Sequence, residues 1–432
     1  MKKAASFALG CKVNQYESEA IAELFQEKGY EIVGIEEAAD VYVINTCTVT
    51  NFGDKKSRQL IRKVKRQNEN AIVAVVGCYA QTAPEELMQV TGVNLVIGTK
   101  DRAQIVEMVE NYDRAKGVEN HVSDIMKERI FEPLSIQKLS NRTRAYLKIQ
   151  DGCSQYCSYC IIPYARGPIR SREPEDVIAE VKRLAENGFQ EVVLTGIHVA
   201  SYGKDRRDTS LLDILRQVHE VEGIERIRFS SIEPNVVTEE FARTMAELPK
   251  VCDHFHLSLQ SGCDKTLKEM NRKYDTEKYR QAAATLRKYL PEVALTTDII
   301  VGFPGETEAD FQESYAFAKE IGFAKIHVFP YSPKRGTPAA ARKDQLLNSV
   351  KSERSHKLME LSDAMADAFL QNYIGKDVEV LFERAVEDGV YEGHTTNYIK
   401  VRAASEQDLT NRICAARILR AEKEELFGTV DA

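Results

Sequence analysis

Three cysteines in one short segment have the spacing of a metal-cluster site. Cys153, Cys157 and Cys160 lie in the run DGCSQYCSYC, with the pattern C-x3-C-x2-C. Three thiolates are one fewer than a closed four-iron cluster requires, so a cluster held here keeps one iron open to an outside ligand. The alternative is a zinc site completed by His198 or His256. Zinc sites usually pair their cysteines in C-x2-C units and close at four ligands, so the spacing favours the open cluster.

Three further cysteines lie far apart in the sequence but at matching places in a predicted sheet. Cys11, Cys47 and Cys78 are separated by 36 and 31 residues, and each closely follows a short apolar run. Helix-like segments such as 16–28 and 52–67 alternate with these runs, which indicates a parallel sheet. Functional residues of such sheets lie outside the carboxyl ends of the strands. We therefore expect the three thiols to share a second cluster; three unrelated buried cysteines are the alternative.

The middle of the chain has the pattern of a partial β/α barrel. Six apolar runs are predicted to be strands, and helix-like segments such as 174–187 separate them. The runs are 144–150, 191–195, 226–230, 255–259, 295–301 and 325–329. Six such units are fewer than the eight of a closed barrel, and catalytic groups in such barrels lie at the carboxyl-terminal ends of the strands.

The last part of the chain changes to a strand-rich pattern. A long helical run over 346–373 is followed from Asp377 by short strand-like runs separated by the turn signals EDG and EGH. This pattern predicts a small all-β barrel. We therefore divide the chain into an N-terminal α/β domain (1–115), a linker (116–140), a central barrel (141–370) and a C-terminal β domain (371–432).

Composition indicates a globular protein of several domains. A chain of 432 residues predicts roughly three domains, and 43% apolar with 29% charged residues is ordinary for soluble proteins. No apolar run approaches the length of a membrane span, so we expect no membrane association. The apolar stretch after Lys2 and Lys3 is too short for a signal peptide. Nine cysteines without a targeting signal predict a cytoplasmic location, where thiols stay reduced.

Positive charge is concentrated next to the cysteines, although the net charge is -7. The segment 51–70, just after Cys47, contains seven basic residues and two acidic ones, and a group of arginines follows Cys160. A phosphate backbone could bind across both groups, although a charged helix is more often simply solvated. The candidate residues are Lys55, Lys56, Arg62, Arg66, Arg166, Arg170 and Arg172. The segment from residue 371 onward contains eight basic and twelve acidic residues, and this negative balance disfavours phosphate binding.

These motifs resemble the radical S-adenosylmethionine (SAM) methylthiotransferases over essentially the whole chain. GCKVNQYESE, INTCTVT and VVGCYAQ resemble the family's N-terminal domain, DGCSQYCSYCIIPYARGPIRSR its radical core, and the C-terminal portion its TRAM barrel. The resemblance implies an α/β fold with a Rossmann-like N-terminal domain and a partial (β/α)6 radical SAM barrel. It also implies two [4Fe-4S] clusters, SAM as radical source and methyl donor, tRNA as partner, an electron donor of the flavodoxin or ferredoxin type, and a sulfur source.

The resemblance also implies which residues contact SAM. In this superfamily the open iron chelates the methionine part of SAM, and the aromatic residue before the third cysteine packs near the adenine. The runs VVLTG, HLSLQSG and DIIVGFPGE resemble other segments that meet SAM, although glycines in the last run could simply be turn residues. The implied contacts are Tyr159, Thr195, Gly196, Gln260, Ser261 and Asp298.

Two segments resemble the branch that acts on N6-threonylcarbamoyladenosine in tRNA, namely IIPYARGPIRSRE and YSPKRGTPAA. The branches acting on isopentenyladenosine or on a ribosomal-protein aspartate are alternatives, as is an iron–sulfur RNA-binding protein without catalysis. The threonylcarbamoyl group ends in a carboxylate, which an arginine can bind with two hydrogen bonds. We expect Arg166, Arg170, Arg172 and Arg335 to supply this cation, or to bind phosphate instead. Adenine C2 carries a nonacidic C–H bond, so we expect radical chemistry and no acid–base residue.

Overall fold

The N-terminal residues form a parallel sheet with helices on both faces. The structure is a computed structural model that describes residues 1–136 and 143–430. The strands are β1 Lys3–Ala8, β2 Glu31–Ile32, β3 Val41–Thr46, β4 Ile72–Gly77, β5 Leu95–Val96 and β6 Glu119–Asn120, and the helices are α1 Lys12–Glu27, α2 Asn51–Gln67, α3 Cys78–Thr82, α4 Pro84–Met88 and α5 Ile105–Glu110. All six strands pair in parallel in the order β2-β1-β3-β4-β5-β6.

Burial on both faces explains why the inner strands are continuous apolar runs. Every residue of β3 is buried. Tyr42 and Ile44 pack on one face with Ile61 of α2, while Val43 packs on the other face with Phe25 of α1. The predicted α/β domain is confirmed, although α1 begins at Lys12, four residues before the predicted start.

The sheet continues into the segment that the sequence predicts to be a linker. Strand β6 lies within 116–140 and pairs with β5. The Glu119 amide donates to Asn94 O at 2.9 Å, and the His121 amide donates to Val96 O at 2.8 Å. The boundary at 115 is therefore too early, since these backbone groups need the sheet as partner. The end of the predicted linker lies outside the described residues, and the division into domains otherwise stays a proposal.

The central residues form the predicted partial barrel. The strands are β7 Arg144–Asp151, β8 Arg170–Ser171, β9 Glu191–Gly196, β10 Arg226–Phe229, β11 His254–His256, β12 Ala294–Val301 and β13 Lys325–Pro330, and the helices are α6 Ile162–Arg166, α7 Pro174–Glu186, α8 Leu211–His219, α9 Glu239–Glu247, α10 Asp264–Glu269, α11 Thr276–Tyr289, α12 Glu308–Ile321 and α13 Asn348–Gln371. Two parallel groups, β10-β9-β7 and β11-β12-β13, are joined by the bridges Ile227–Val251 and Ile232–Leu257. Six parallel strands result, and the short β8 is antiparallel to β7.

The C-terminal residues form the predicted small barrel. Its strands are β14 Asp377–Glu387, β15 Val390–Thr395, β16 Lys400–Ala404, β17 Arg412–Glu422 and β18 Glu425–Thr429, closed in the order β14-β15-β16-β18-β17. It packs against the strand beginnings of the central barrel, where Arg144 pairs with Glu383 at 2.9 Å and Arg226 with Glu379 at 2.9 Å. Within the described ranges, no helix has the length and apolarity that crossing a membrane requires.

A buried group of charges joins the N-terminal sheet to the central barrel. Glu17 of α1 is fully buried and receives Lys148 Nζ at 2.7 Å, Arg102 Nη1 at 2.6 Å and Arg166 Nη2 at 3.0 Å. Burial alone would raise the pKa of Glu17, but these three cations hold it well below the usual range of a carboxyl group. Two of the cations, Lys148 and Arg166, belong to the central barrel. One buried carboxylate therefore bridges the two domains.

We expect Glu17→Gln to lower the free energy of unfolding by about 3–5 kcal/mol, because three buried cations lose a shared counter-charge and keep only Asp151 or Glu132. The measurement is urea denaturation followed by circular dichroism. Glu27→Gln, at the exposed end of the same helix, should change it by less than about 0.5 kcal/mol. Because the pKa of Glu17 is depressed, its contribution is complete above the ordinary carboxyl pKa and is lost as the pH falls through the lower folded-state value. Equal stability of the two variants would contradict this role for Glu17.

Candidate active site

The three N-terminal cysteines lie at the carboxyl ends of three adjacent strands. Cys11 follows β1 and directly precedes α1, Cys47 follows β3, and Cys78 begins α3 directly after β4. These strands lie side by side in the order β1-β3-β4, so the three residues meet at one edge of the sheet. The fold thus brings together the cysteines that the sequence groups. Their role as cluster ligands stays a prediction.

The close approach of the β1–α1 turn to Cys47 requires a glycine. Gly10 has a φ of +97°, and a Cβ placed on it would lie 2.6 Å from Cys47 Cβ and 2.7 Å from Cys47 Sγ. Only glycine adopts this backbone conformation without strain. Gly10 therefore sets the position of Cys47 relative to Cys11.

The thiols of Cys47 and Cys78 resist ionisation because they are shielded from solvent. Burial, and then the neighbouring thiolates of Cys78 and Cys11, raise the pKa of Cys47 to about 12. Burial also raises the pKa of Cys78, although Arg166 acts against it. Bound metal deprotonates such thiols, because its positive charge compensates theirs. Three converging thiols at a strand edge therefore fit a cluster bound through Cys11, Cys47 and Cys78.

One arginine of the central barrel reaches this N-terminal site. Arg166, the last residue of α6, donates from Nε to Cys78 Sγ at 3.2 Å and from Nη2 to Asn14 Oδ1 at 2.6 Å. Cys11 Sγ lies 3.7 Å from the same Asn14 oxygen. Glu17 fixes the guanidinium from its other side. A positive charge from one domain is therefore held beside the thiols of another.

The second set of cysteines lies in the loop after β7, at the carboxyl-terminal end of the barrel. Gly152 begins this loop with a φ of +72°, and a Cβ on it would lie 1.9 Å from Pro168 O. The amide of Cys153 donates to Gly167 O at 3.0 Å, and that of Cys160 donates to Cys157 O at 3.0 Å. Burial raises the pKa of Cys153 to about 11 and that of Cys160 to about 12. These thiols too fit a cationic group better than solvent.

A second arginine, which no pattern in the sequence indicates, contacts this set. Arg272 donates from Nη1 to Cys157 Sγ at 3.1 Å and pairs through Nη2 with Glu233 at 2.7 Å. Arg272 lies 115 residues from Cys157, so no local motif joins them. His198, the candidate zinc ligand, lies 3.1 Å from Glu233. Among the residues that the structure describes, no group of three His, Cys, Asp or Glu side chains is placed to bind a single metal ion such as zinc.

The residues implied to contact SAM do not all reach the same space. Thr195 and Gly196, at the end of β9, line a cavity. Asp298 of β12 lines the same cavity and lies 3.3 Å from His256. Tyr159, next to Cys160, packs beside the buried group formed by Met270, Phe303, Tyr331 and Ala339. The SAM contacts of these residues stay predictions.

Gln260 and Ser261 lie at a strained turn outside the cavity lining. Gln260 has a φ of +71°, and its backbone amide donates to Asp298 O at 2.8 Å. Ser261 is 1% exposed, and its hydroxyl accepts the Cys263 amide at 3.2 Å. The Ser261 oxygen therefore serves the turn, and the contacts of both residues with SAM stay predictions.

The structure corrects the predicted role of three arginines. Arg166, Arg170 and Arg172 are 0%, 2% and 5% exposed, so they present no surface to tRNA. Arg170 donates to Arg166 O at 2.9 Å and to Pro168 O at 3.0 Å, while Arg172 pairs with Glu180. Their guanidinium groups hold the loop and the domain contact together. Arg335, in contrast, has a side chain that is 94% exposed.

The other predicted RNA contacts form an exposed surface, which we call the α2 basic face. It consists of Lys55, Lys56, Arg62 and Arg66. Lys56 Nζ lies 4.7 Å from the centre of the exposed Phe52 ring. The segment that carries Arg335 packs against the start of α2, where Asn51 Nδ2 donates to Pro333 O at 3.0 Å. Exposed cations and an aromatic ring therefore lie on the helix that begins just after Cys47.

A cavity of about 1040 Å³ lies between the N-terminal cysteine edge and the barrel interior. All three domains contribute to its wall. Its lining includes Cys11 and Lys12 from the N-terminal domain, Thr195, Gly196 and Asp298 from the barrel, and Tyr398 from the C-terminal domain. A cavity of this size holds a small molecule or one nucleoside.

Two family models match the chain, and so do curated relatives. Residues 3–98 match the "Uncharacterized protein family UPF0004" and residues 147–318 the "Radical SAM superfamily". The chain is 46% identical to the threonylcarbamoyladenosine tRNA methylthiotransferase MtaB of Bacillus subtilis, over 98% of this chain and 94% of that protein. It is 37% identical to the tRNA-2-methylthio-N(6)-dimethylallyladenosine synthase of Moorella thermoacetica, over 97% and 96%.

A solved structure shares the fold. The radical S-adenosylmethionine methyltransferase TsrM from Kitasatospora setae superposes with a TM-score of 0.56 at 16% identity, over 79% of this chain and 77% of that one. The fold and the cysteine loop after β7 define a radical SAM enzyme, which uses SAM and an iron–sulfur cluster. The chain belongs to the radical SAM methylthiotransferase family.

Proposed function

We propose that the protein is a tRNA methylthiotransferase that converts N6-threonylcarbamoyladenosine, at position 37 beside the anticodon, to its 2-methylthio derivative. The observation that carries the proposal is the 46% identity, over nearly the whole of both chains, to a protein named for this nucleoside. The geometry supports it, because one cavity extends from Cys11 to the strand ends beside the second cysteine loop.

We assign one [4Fe-4S] cluster to Cys153, Cys157 and Cys160 and a second to Cys11, Cys47 and Cys78. Such clusters supply the electron that cleaves SAM and a site for the sulfur that is transferred. The assignment rests on two sets of three converging thiols, each with an arginine that donates to one sulfur. Hydrogen bonds to cluster sulfurs adjust reduction potential. An electron donor of the flavodoxin or ferredoxin type and a sulfur source are required partners.

Iron content tests the two-cluster assignment. We expect about eight irons per chain after anaerobic reconstitution, and about four when Cys11, Cys47 and Cys78 are all replaced by alanine. Gly10→Ala should also lower the iron content toward four, because the added Cβ collides with Cys47. Gly29→Ala is the matched control, since Gly29 has a φ of +84° but nothing within 4 Å. About four irons in the unaltered protein would contradict the second cluster.

The α2 basic face supports a tRNA phosphate contact that leads toward the cavity. Its four cations are exposed, and within the described ranges no carboxylate lies in an ion pair with any of them. The neighbouring Phe52 is 63% exposed, and exposed aromatic rings serve as stacking platforms for unpaired bases. Arg335 adds a fifth exposed cation at the same place, with Glu86 at 3.7 Å. We include Arg335 in the proposed contact.

Replacing Lys55, Lys56, Arg62 and Arg66 together by glutamate should weaken tRNA binding and reduce its salt dependence, by about one unit of slope for each phosphate that the variant no longer binds. The measurement is a binding titration at several salt concentrations. Lys182→Glu with Lys319→Glu, on exposed positions of the outer barrel helices, is the control. SAM cleavage without tRNA should persist in both. An unchanged slope in the fourfold variant would show that the face is merely solvated.

The substrate is tested by supplying defined tRNAs. Reconstituted protein, SAM and reductant should convert tRNA that carries threonylcarbamoyladenosine, and mass spectrometry of the nucleosides detects the methylthio product. Matched tRNA that carries isopentenyladenosine and the ribosomal protein are the comparison substrates. Conversion of isopentenyladenosine but not of threonylcarbamoyladenosine would overturn the proposal, as would conversion of the ribosomal protein alone.

A further inference from the structure

The substrate carboxylate needs a cation, and the arginines predicted to supply it are committed elsewhere. Arg166, Arg170 and Arg172 are buried in contacts with Glu17, Asp151 and Glu180. A carboxylate that enters the cavity must therefore meet another positive group, because burying it unpaired is costly. That group must belong to the residues that line the cavity.

Most cations that line the cavity are already paired. Arg228 donates to Glu191 at 3.0 Å, Lys325 lies 3.0 Å from Asp363, and Lys400 lies 2.7 Å from Glu392. Two lining lysines, within the described ranges, form no ion pair with a carboxylate, namely Lys12 and Lys423. Lys423 is exposed in the turn between β17 and β18 of the C-terminal barrel. Lys12 enters the cavity wall from the N-terminal domain, directly after Cys11, and its ammonium group lies near Tyr146, Tyr398, Arg144 and Arg228.

Lys12 is placed to meet a carboxylate that enters the cavity. It directly follows Cys11, its Nζ lies 5.6 Å from the centre of the Tyr146 ring, and the residue is half-buried in the cavity wall. Polar atoms in the same wall are also unsatisfied: Thr195 Oγ1 is buried without a hydrogen-bond partner, as is His254 Nδ1. The wall therefore combines a cation that has no carboxylate partner with buried polar atoms that a bound ligand would satisfy.

We infer that Lys12 binds the carboxylate of the threonylcarbamoyl group and thereby selects this nucleoside, an inference that rests on the proposed function. On adenine, C2 and the N6 substituent lie on either side of N1. A base whose C2 faces the Cys11 site therefore carries its N6 substituent close to the residues next to Cys11. The ammonium–carboxylate pair compensates the desolvation of both groups. An isopentenyl group in the same place would leave the ammonium unpaired, which discriminates against it.

The test compares two tRNA substrates, one with threonylcarbamoyladenosine and one with its carboxamide analogue, which lacks the negative charge. In the unaltered protein, KM should be roughly ten to a hundred times lower for the carboxylate, as expected for a charge-assisted hydrogen bond. Lys12→Gln should bring the two KM values together while kcat changes little. Lys12→Arg keeps the charge and should retain the preference. Lys423→Gln, on the C-terminal side of the cavity, is the matched control and should leave the preference unchanged.

Each outcome separates a different explanation. Equal losses on both substrates in Lys12→Gln would mean a phosphate contact, and a changed KM for SAM in tRNA-independent cleavage would mean a contact to the SAM carboxylate; either result overturns the inference. The iron content of Lys12→Gln, measured beside activity, shows whether the adjacent cluster site is intact. If that variant loses iron, the substrate preference of Lys12→Arg tests the inference instead. If the unaltered protein converts neither substrate, the proposed function itself has failed. If it converts both with one KM, only the role of Lys12 has failed.

Discussion

The buried pair between Glu17 and Arg166 is the interaction on which the site geometry depends. Arg166 enters from the central barrel, contacts Cys78 Sγ, and is held in place by a carboxylate of the N-terminal domain. Without that carboxylate the guanidinium would keep only Asp151, at 3.4 Å, as a counter-charge between the domains. The same contact that joins two domains therefore sets a positive charge beside one cysteine set. A change in the packing of the two domains would therefore also change the electrostatics of the site.

The cysteine positions are predictable from the sequence because the strand-end rule needs only local patterns. Cys11, Cys47 and Cys78 each follow an apolar run, and parallel sheets bring such ends together. The roles of Arg166 and Arg272 are not predictable in this way. Each contacts a cysteine 88 or 115 residues away, so its partner is set by tertiary packing and not by any local repeat.

The differences between prediction and structure have physical causes of the same kind. The sequence places the start of α1 too late because its N-cap is Cys11, which makes no side-chain cap and lacks the usual polar signal. It gives no sign of the strand at Glu119–Asn120 because two residues carry no periodicity. It suggests RNA contact for the arginines after Cys160 because sequence shows charge but not burial. Charge near a site indicates RNA contact only where the side chain is exposed, as for the α2 basic face.

The C-terminal barrel also shows that charge counted along the sequence differs from charge on the surface, here for acidic residues. Its excess of acidic residues argues against phosphate binding when charge is counted along the sequence. In the structure several of these carboxylates are used inside the molecule: Glu379 pairs with Arg226, Glu383 with Arg144, and Glu424 with Lys325. They dock the small barrel on the strand beginnings of the central one, at the end opposite the loop that carries Cys153, Cys157 and Cys160. Net charge of a domain is therefore a poor measure of its outer surface when an interface consumes one sign of charge.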